Sequence, residues 1–119
     1  MVPSGPVMVA DQLAADNPVR KVALDFRKAY QQVHGSLPND AFSAYTFDAW
    51  LLFADAAARV KSEPGTPEFR KALKDAIAAT RELPGTHGVF TFKPNDPYGL
   101  DKRSALVIKL DKGQWKLAE

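Results

Sequence analysis

The residues that could carry chemistry are few, and their spacing decides what reactions are open to them. His34 and His87 are the only imidazoles, and each sits beside a glycine. No His, Cys or acid follows His34 at the second to fourth position, and the acid nearest His87 along the chain is Glu82. A zinc site needs three or four ligands at workable spacing, so both histidines read as turn residues. Asn95, Asp96 and Asp101 offer oxygen ligands but lack the glycine and closing glutamate of a calcium loop, and a turn held by Asx hydrogen bonds fits better. Gly85, Gly88 and Gly99 have no phosphate-loop spacing, and Ser4, Ser36, Ser43, Ser62 and Ser104 have no nucleophile-elbow setting. No enzyme, metal or cofactor is implied. The remaining candidates are the aromatics Phe42, Tyr45, Phe47, Trp50 and Phe53. At helical spacing they can form a core; alternatively the first-turn pair, Phe42 and Tyr45, faces a ligand cleft where aromatics and a helix N-terminus meet a small carboxylate.

Those aromatics belong to the second of three helices. Asn17 as cap, Pro18 at the first position and Val19, Val22, Phe26, Ala29, Tyr30 and Val33 at three- and four-residue steps predict a helix over 18–34, ended by Gly35. Leu24 falls off that stripe, which leaves it an exposed leucine or a contact for something outside the chain. The second helix is expected over 40–61. Its charged residues between Ala41 and Val60 are Asp48, Asp55 and Arg59, within about 40° of one another on the helical wheel, while apolar residues point nearly everywhere else. A helix polar on so narrow a strip is normally covered on several sides, by a sheet or a partner. Asp55 and Arg59, four apart, form a surface pair. Thr66, Pro67 and Glu68 open a third helix over 67–82, with Phe69, Ala72, Leu73, Ala76, Ile77, Thr80 and Leu83 inward and Pro84-Gly85 as its stop.

After the third helix the period becomes 2. Val89 to Phe92 alternates, residues 93–102 form a turn-rich loop, and Ser104 to Leu110 predicts a strand that returns through Asp111-Lys112-Gly113-Gln114 into Trp115 to Ala118. Residues 1–17, with Pro3, Gly5 and Pro6, read as an extended crossing segment and a polar loop. The expected order is extended segment, three helices, three short strands.

The 119 residues hold 16 Lys+Arg against 14 Asp+Glu, with 45% hydrophobic and 25% charged residues and no Cys. These proportions exclude a disordered tail and a disulfide scaffold. The longest basic runs are pairs such as Arg20-Lys21 and Lys102-Arg103, interleaved with acids, which argues against a nucleic-acid partner. No run approaches the roughly 20 apolar residues of a membrane helix. Met1 to Ala10 lacks a basic n-region and is too short for a secretory signal, so if the protein is exported its signal is expected outside this sequence.

The segments GPVMVADQLAADNPVRKVALDFRKAYQQVHG, AFSAYTFDAWLLFADA, THGVFTFKPNDPYGLD and VIKLDKGQWKL resemble the C-terminal third of periplasmic solute-binding proteins of ABC importers. The closest group is the branched-chain amino acid (Leu/Ile/Val) binding family of the type I periplasmic-binding fold, some of whose members bind aromatic acids. The resemblance implies an α/β fold, as a fragment of a two-lobed hinge protein. It makes residues 1–17 a crossing strand and loop, 18–83 the helical part of the first lobe, and 86–119 the strands and C-terminal hairpin of the second. It further implies a small amino acid or aromatic carboxylate as ligand, Phe42 against the ligand's side chain with Tyr45 one turn on, an ABC permease as partner and a periplasmic location. The piece alone is expected not to be binding-competent and to form a homodimer or element-swapped oligomer. The alternative is a protein-interaction domain that uses the apolar face of helix 40–61.

Overall fold

A computed structural model describes residues 5–118. Its helices are α1 (Pro18–His34), α2 (Phe42–Arg59) and α3 (Pro67–Ala78), with short 3-10 helices at Pro6–Gln12 and Lys102–Ser104. The strands are β1 (Leu83–Pro84), β2 (Val89–Phe90), β3 (Ile108–Asp111) and β4 (Gln114–Leu117). They pair as two antiparallel ribbons, Leu83 opposite Phe90 and Ile108 opposite Leu117. The mixed helix-and-strand class agrees with the sequence.

α1 begins and ends as its residues dictate. The Asn17 side chain accepts from the Val19 amide, Pro18 takes the first position, and Gly35 closes the helix in the left-handed conformation. Asp40 accepts from the Phe42 amide at the start of α2, and Thr66 accepts from the Phe69 amide at the start of α3. Lys112 and Gly113, with φ of 49° and 78°, make the tight turn between β3 and β4.

Several expectations change. The segment expected to cross as a strand is two 3-10 turns kinked at Val9 over Pro6–Gln12; the part from Val2 to Ser4 lies outside the described residues. Pro6, without an amide proton and with φ fixed, starts that helix, and Val7, Val9 and Ala10 bury its inner side. α3 stops four residues early because Phe92 donates to the Thr80 carbonyl and Glu82 adopts φ 48°, which turns the chain into β1, a strand the sequence reading missed. Residues 104–107 are not strand: Asp101 accepts from the Arg103 amide and starts a 3-10 turn there.

The core is small. Val7, Ala10 and Leu13 meet Val19, Ala23 and Phe26 of α1, Ala41 and Ala44 at the start of α2, and Val89 of β2. Leu24 packs against this cluster, so it is not an outward leucine, whereas Val33 at the end of the predicted stripe is 78% exposed. The 3-10 helix Pro6–Gln12 also tethers the C-terminal ribbon: Gln12 Oε1 accepts from the Leu117 amide at 2.8 Å, and Gln12 Nε2 donates to the Trp115 carbonyl.

Candidate ligand cleft

Of the three charged residues on the narrow strip of α2, Asp48 faces inward, while the Asp55–Arg59 pair keeps its side chains 36% and 40% exposed. Asp48 is 3% exposed and points into the loop of the β1–β2 ribbon. Its Oδ1 accepts from the Thr86 amide at 2.7 Å and its Oδ2 from the His87 amide at 3.1 Å, so the carboxylate caps a loop whose amides no other strand satisfies. Oδ2 also accepts from His87 Nδ1 at 2.8 Å. Further along the same side, Arg59 reaches both its expected partner Asp55 and the Thr80 hydroxyl.

Gly85 makes this approach possible. A Cβ there would lie 2.5 Å from the Phe90 ring and 2.9 Å from Asp48 Oδ1. His87 is therefore no turn residue of the ordinary kind, since it is buried, and its acid partner lies 39 positions upstream. The sequence offered one signal for the pair, a carboxylate inside an apolar helix together with an imidazole between two glycines. Sequence distance hid the match. His34, by contrast, is exposed and stacks on Tyr30, with ring centres 4.3 Å apart.

Beside this pair opens a cleft of about 480 Å³. Tyr45, Ala49 and Leu52 of α2 line it together with Phe90, Tyr98, Leu100, His87 and Gly5. The Tyr45 ring lies on the His87 imidazole at 3.8 Å between centres. Phe42 packs edge-on against Tyr45 at 5.9 Å, is 59% exposed, and is not among the residues that line the cleft. Of the two residues singled out from sequence, Tyr45 is in the cleft and Phe42 stands at its neighbour's edge. The size suits a small organic ligand, and the lining is apolar with a few polar groups, as such sites are.

A separate exposed cluster links the residues after α3 to the start of the second 3-10 helix. Arg103 binds Glu82 and Asp101 together, and these contacts hold both carboxyls below their ordinary range. Among the described residues no cluster of metal-binding side chains exists, and no helix is long and apolar enough to cross a membrane.

The fold has close counterparts. A solved structure from Rhodopseudomonas palustris strain CGA009 is 29% identical with a TM-score of 0.86, and the match covers 98% of this chain and 33% of that one. An extracellular ligand-binding receptor from Rhodopseudomonas palustris HaA2 is 28% identical, TM-score 0.85, with 98% and 33% covered. Another from the same organism is 31% identical, TM-score 0.83, with 97% and 32% covered. No protein-family model and no functionally curated protein matches the sequence. The neighbours so described are ligand-binding receptors and not enzymes, and the chain spans about a third of their length. Over about a third of their length, the chain matches a fragment of the periplasmic-binding-protein fold of these extracellular ligand-binding receptors.

Proposed function

We propose that the chain contributes one wall of the ligand site of a periplasmic solute-binding protein that captures a small amino acid or aromatic carboxylate for an ABC importer. The observation that carries this reading is the cleft beside Tyr45, whose ring is already seated on His87 and whose apolar walls leave room for a side chain or an aryl ring. Phe42, packed against Tyr45, would touch the same ligand from the rim. In this reading residues 18–83 are the helical part of one lobe and residues 86–119 lead into the strands of the other. Val89, packed with α1, keeps the start of that stretch with the helices. Closure of the lobes over the ligand presents the protein to its permease.

One wall of a site binds weakly. At about 0.3 kcal/mol per non-hydrogen atom, a ligand of about nine such atoms, like benzoate, gains about 2.7 kcal/mol, or a Kd of about 10 mM. Titration of leucine, phenylalanine and benzoate into the chain at millimolar concentration, followed by amide chemical shifts, is expected to move Tyr45, Leu52 and Phe90 for at least one ligand. Unmoved cleft resonances with all three would refute the reading.

A second reading rests on the exposed stack of Trp50 and Phe53, 60% and 41% exposed with ring centres 5.5 Å apart. There this face of α2 binds a protein, including a second copy of the chain, instead of being covered by the rest of a receptor.

A further inference from the structure

One buried polar atom of the cleft is unspent. The Asp48 carboxyl, whose two oxygens accept from the Thr86 and His87 amides, faces His87 Nδ1 at 2.8 Å. The Thr86 hydroxyl stands 2.9 Å from the same nitrogen while its proton is directed to the Ala44 carbonyl. Both neighbours therefore accept from Nδ1, so in the neutral tautomer that satisfies them the ring proton sits there and Nε2 carries the lone pair. Nε2 finds no hydrogen-bond partner among the described residues, although the side chain is only 10% exposed. A buried acceptor without a partner is costly, so such an atom points to a group that completes it.

What that group is follows from the walls. The cleft lining contains no Lys or Arg, its one carboxylate is already engaged by the Thr86–His87 loop, and Leu52, Phe90 and Leu100 make its sides apolar. Nothing in it would neutralise a carboxylate, whereas a neutral acceptor in an apolar slot suits an uncharged donor. Resting on the cleft reading above, we propose that His87 Nε2 accepts a hydrogen bond from an uncharged hydroxyl of the ligand, and so selects hydroxylated over non-hydroxylated apolar rings or chains. Asp48 and Thr86 are positioning residues in this scheme, since they hold the tautomer and touch no ligand. A ligand's carboxylate, if it has one, points out of this slot.

The test uses the ring nitrogens of the 119-residue chain. At pH 7, ¹⁵N-imidazole spectra are expected to show His87 with one protonated nitrogen, Nδ1, and one bare nitrogen, Nε2. Phenol and anisole, the same ring with the hydroxyl blocked, are then titrated at millimolar concentration. Phenol is expected to bind about fivefold more tightly than anisole and to shift the Nε2 resonance, while anisole shifts Tyr45 and Leu52 alone. Gly5→Ala supplies the control. A Cβ at Gly5 would stand 3.4 Å from Nε2 and 3.1 Å from Cδ2, on backbone that any residue adopts, and it crowds the nitrogen without touching Asp48. In that variant phenol is expected to fall to the affinity of anisole. Equal affinity of the two probes in the wild-type chain, or a protonated Nε2, overturns the hydroxyl-acceptor role and leaves the cleft reading intact. Failure of both probes to move any cleft resonance overturns the two together.

Discussion

The Asp48 carboxylate is the contact whose removal says most about how the cleft is built. Asp48→Ala leaves three donors without their acceptor: the amides of Thr86 and His87 and the His87 Nδ1–H. A hydrogen bond to a charged group contributes about 1.5–3 kcal/mol, but water admitted by the smaller side chain recovers part of the sum. The expected net loss from the three hydrogen bonds is about 3–5 kcal/mol. For a chain of this length that is a fall of about 12–20 °C in the melting midpoint. Asp48→Asn keeps an oxygen for the Thr86 amide but turns an NH2 toward the His87 amide, so it is expected to lose about 1–2 kcal/mol. Urea unfolding followed by circular dichroism measures both. If Asp48 lay on a solvated strip, Asp48→Ala would change stability by less than about 0.5 kcal/mol, and that result would refute the inward clamp.

Three other outcomes are expected. Gly85→Ala, whose new methyl would sit 2.5 Å from the Phe90 ring, is expected to cost about 1–3 kcal/mol by urea unfolding and to shift Asp48 and His87 resonances together. Because Arg103 holds Glu82 and Asp101 below their ordinary carboxyl range, the stability they add is present above that range and is lost as pH falls through their folded values; Arg103→Gln should therefore flatten the acid limb of midpoint against pH while leaving neutral-pH cleft shifts in place. Light scattering at tens of micromolar is expected to give a mass above that of one chain, reduced by Trp50→Ser with Phe53→Ser; a monodisperse monomer contradicts the association.

Local chemistry was legible wherever its signal is local. The caps at Asn17 and Thr66, the Gly35 stop and the Lys112-Gly113 turn depend on neighbours within a few residues, and all stand as read. What escaped depends on partners far along the chain. The end of α3 is set by the Phe92 amide, which donates to the Thr80 carbonyl, and the inward direction of Asp48 by a loop 38 and 39 residues later. A helical wheel reports which residues share a side; it does not report which side is inside. Asp55 and Arg59 form the surface pair their spacing predicts, whereas Asp48 on the same strip turns in because three buried donors meet it. Tyr45 was legible as a cleft residue from its place in the first turn, whereas its partner ring, His87, was not.

The direction of Asp48 bears on what covers α2. With Asp48 turned toward the β1–β2 loop, the helix leaves Phe42, Trp50 and Phe53 between 41% and 60% exposed. The accessible surface of the chain is 8041 Å², where a compact monomer of its 13.0 kDa would show about 6,300 Å². Its radius of gyration is 15.9 Å against about 13.5 Å for a compact domain of this length. The surplus of about 1,700 Å² is as large as a whole standard protein interface. Scattered surface leucines do not add up to that; a face shaped to be covered does. If the cover is the remainder of a receptor, adding the missing lobes in trans should quench Trp50 exposure and tighten ligand binding together, because the same closure that hides the aromatic face completes the cleft at Tyr45. If the cover is only another copy of this chain, Trp50 becomes protected while affinity at the cleft stays unchanged, and the two measurements part company.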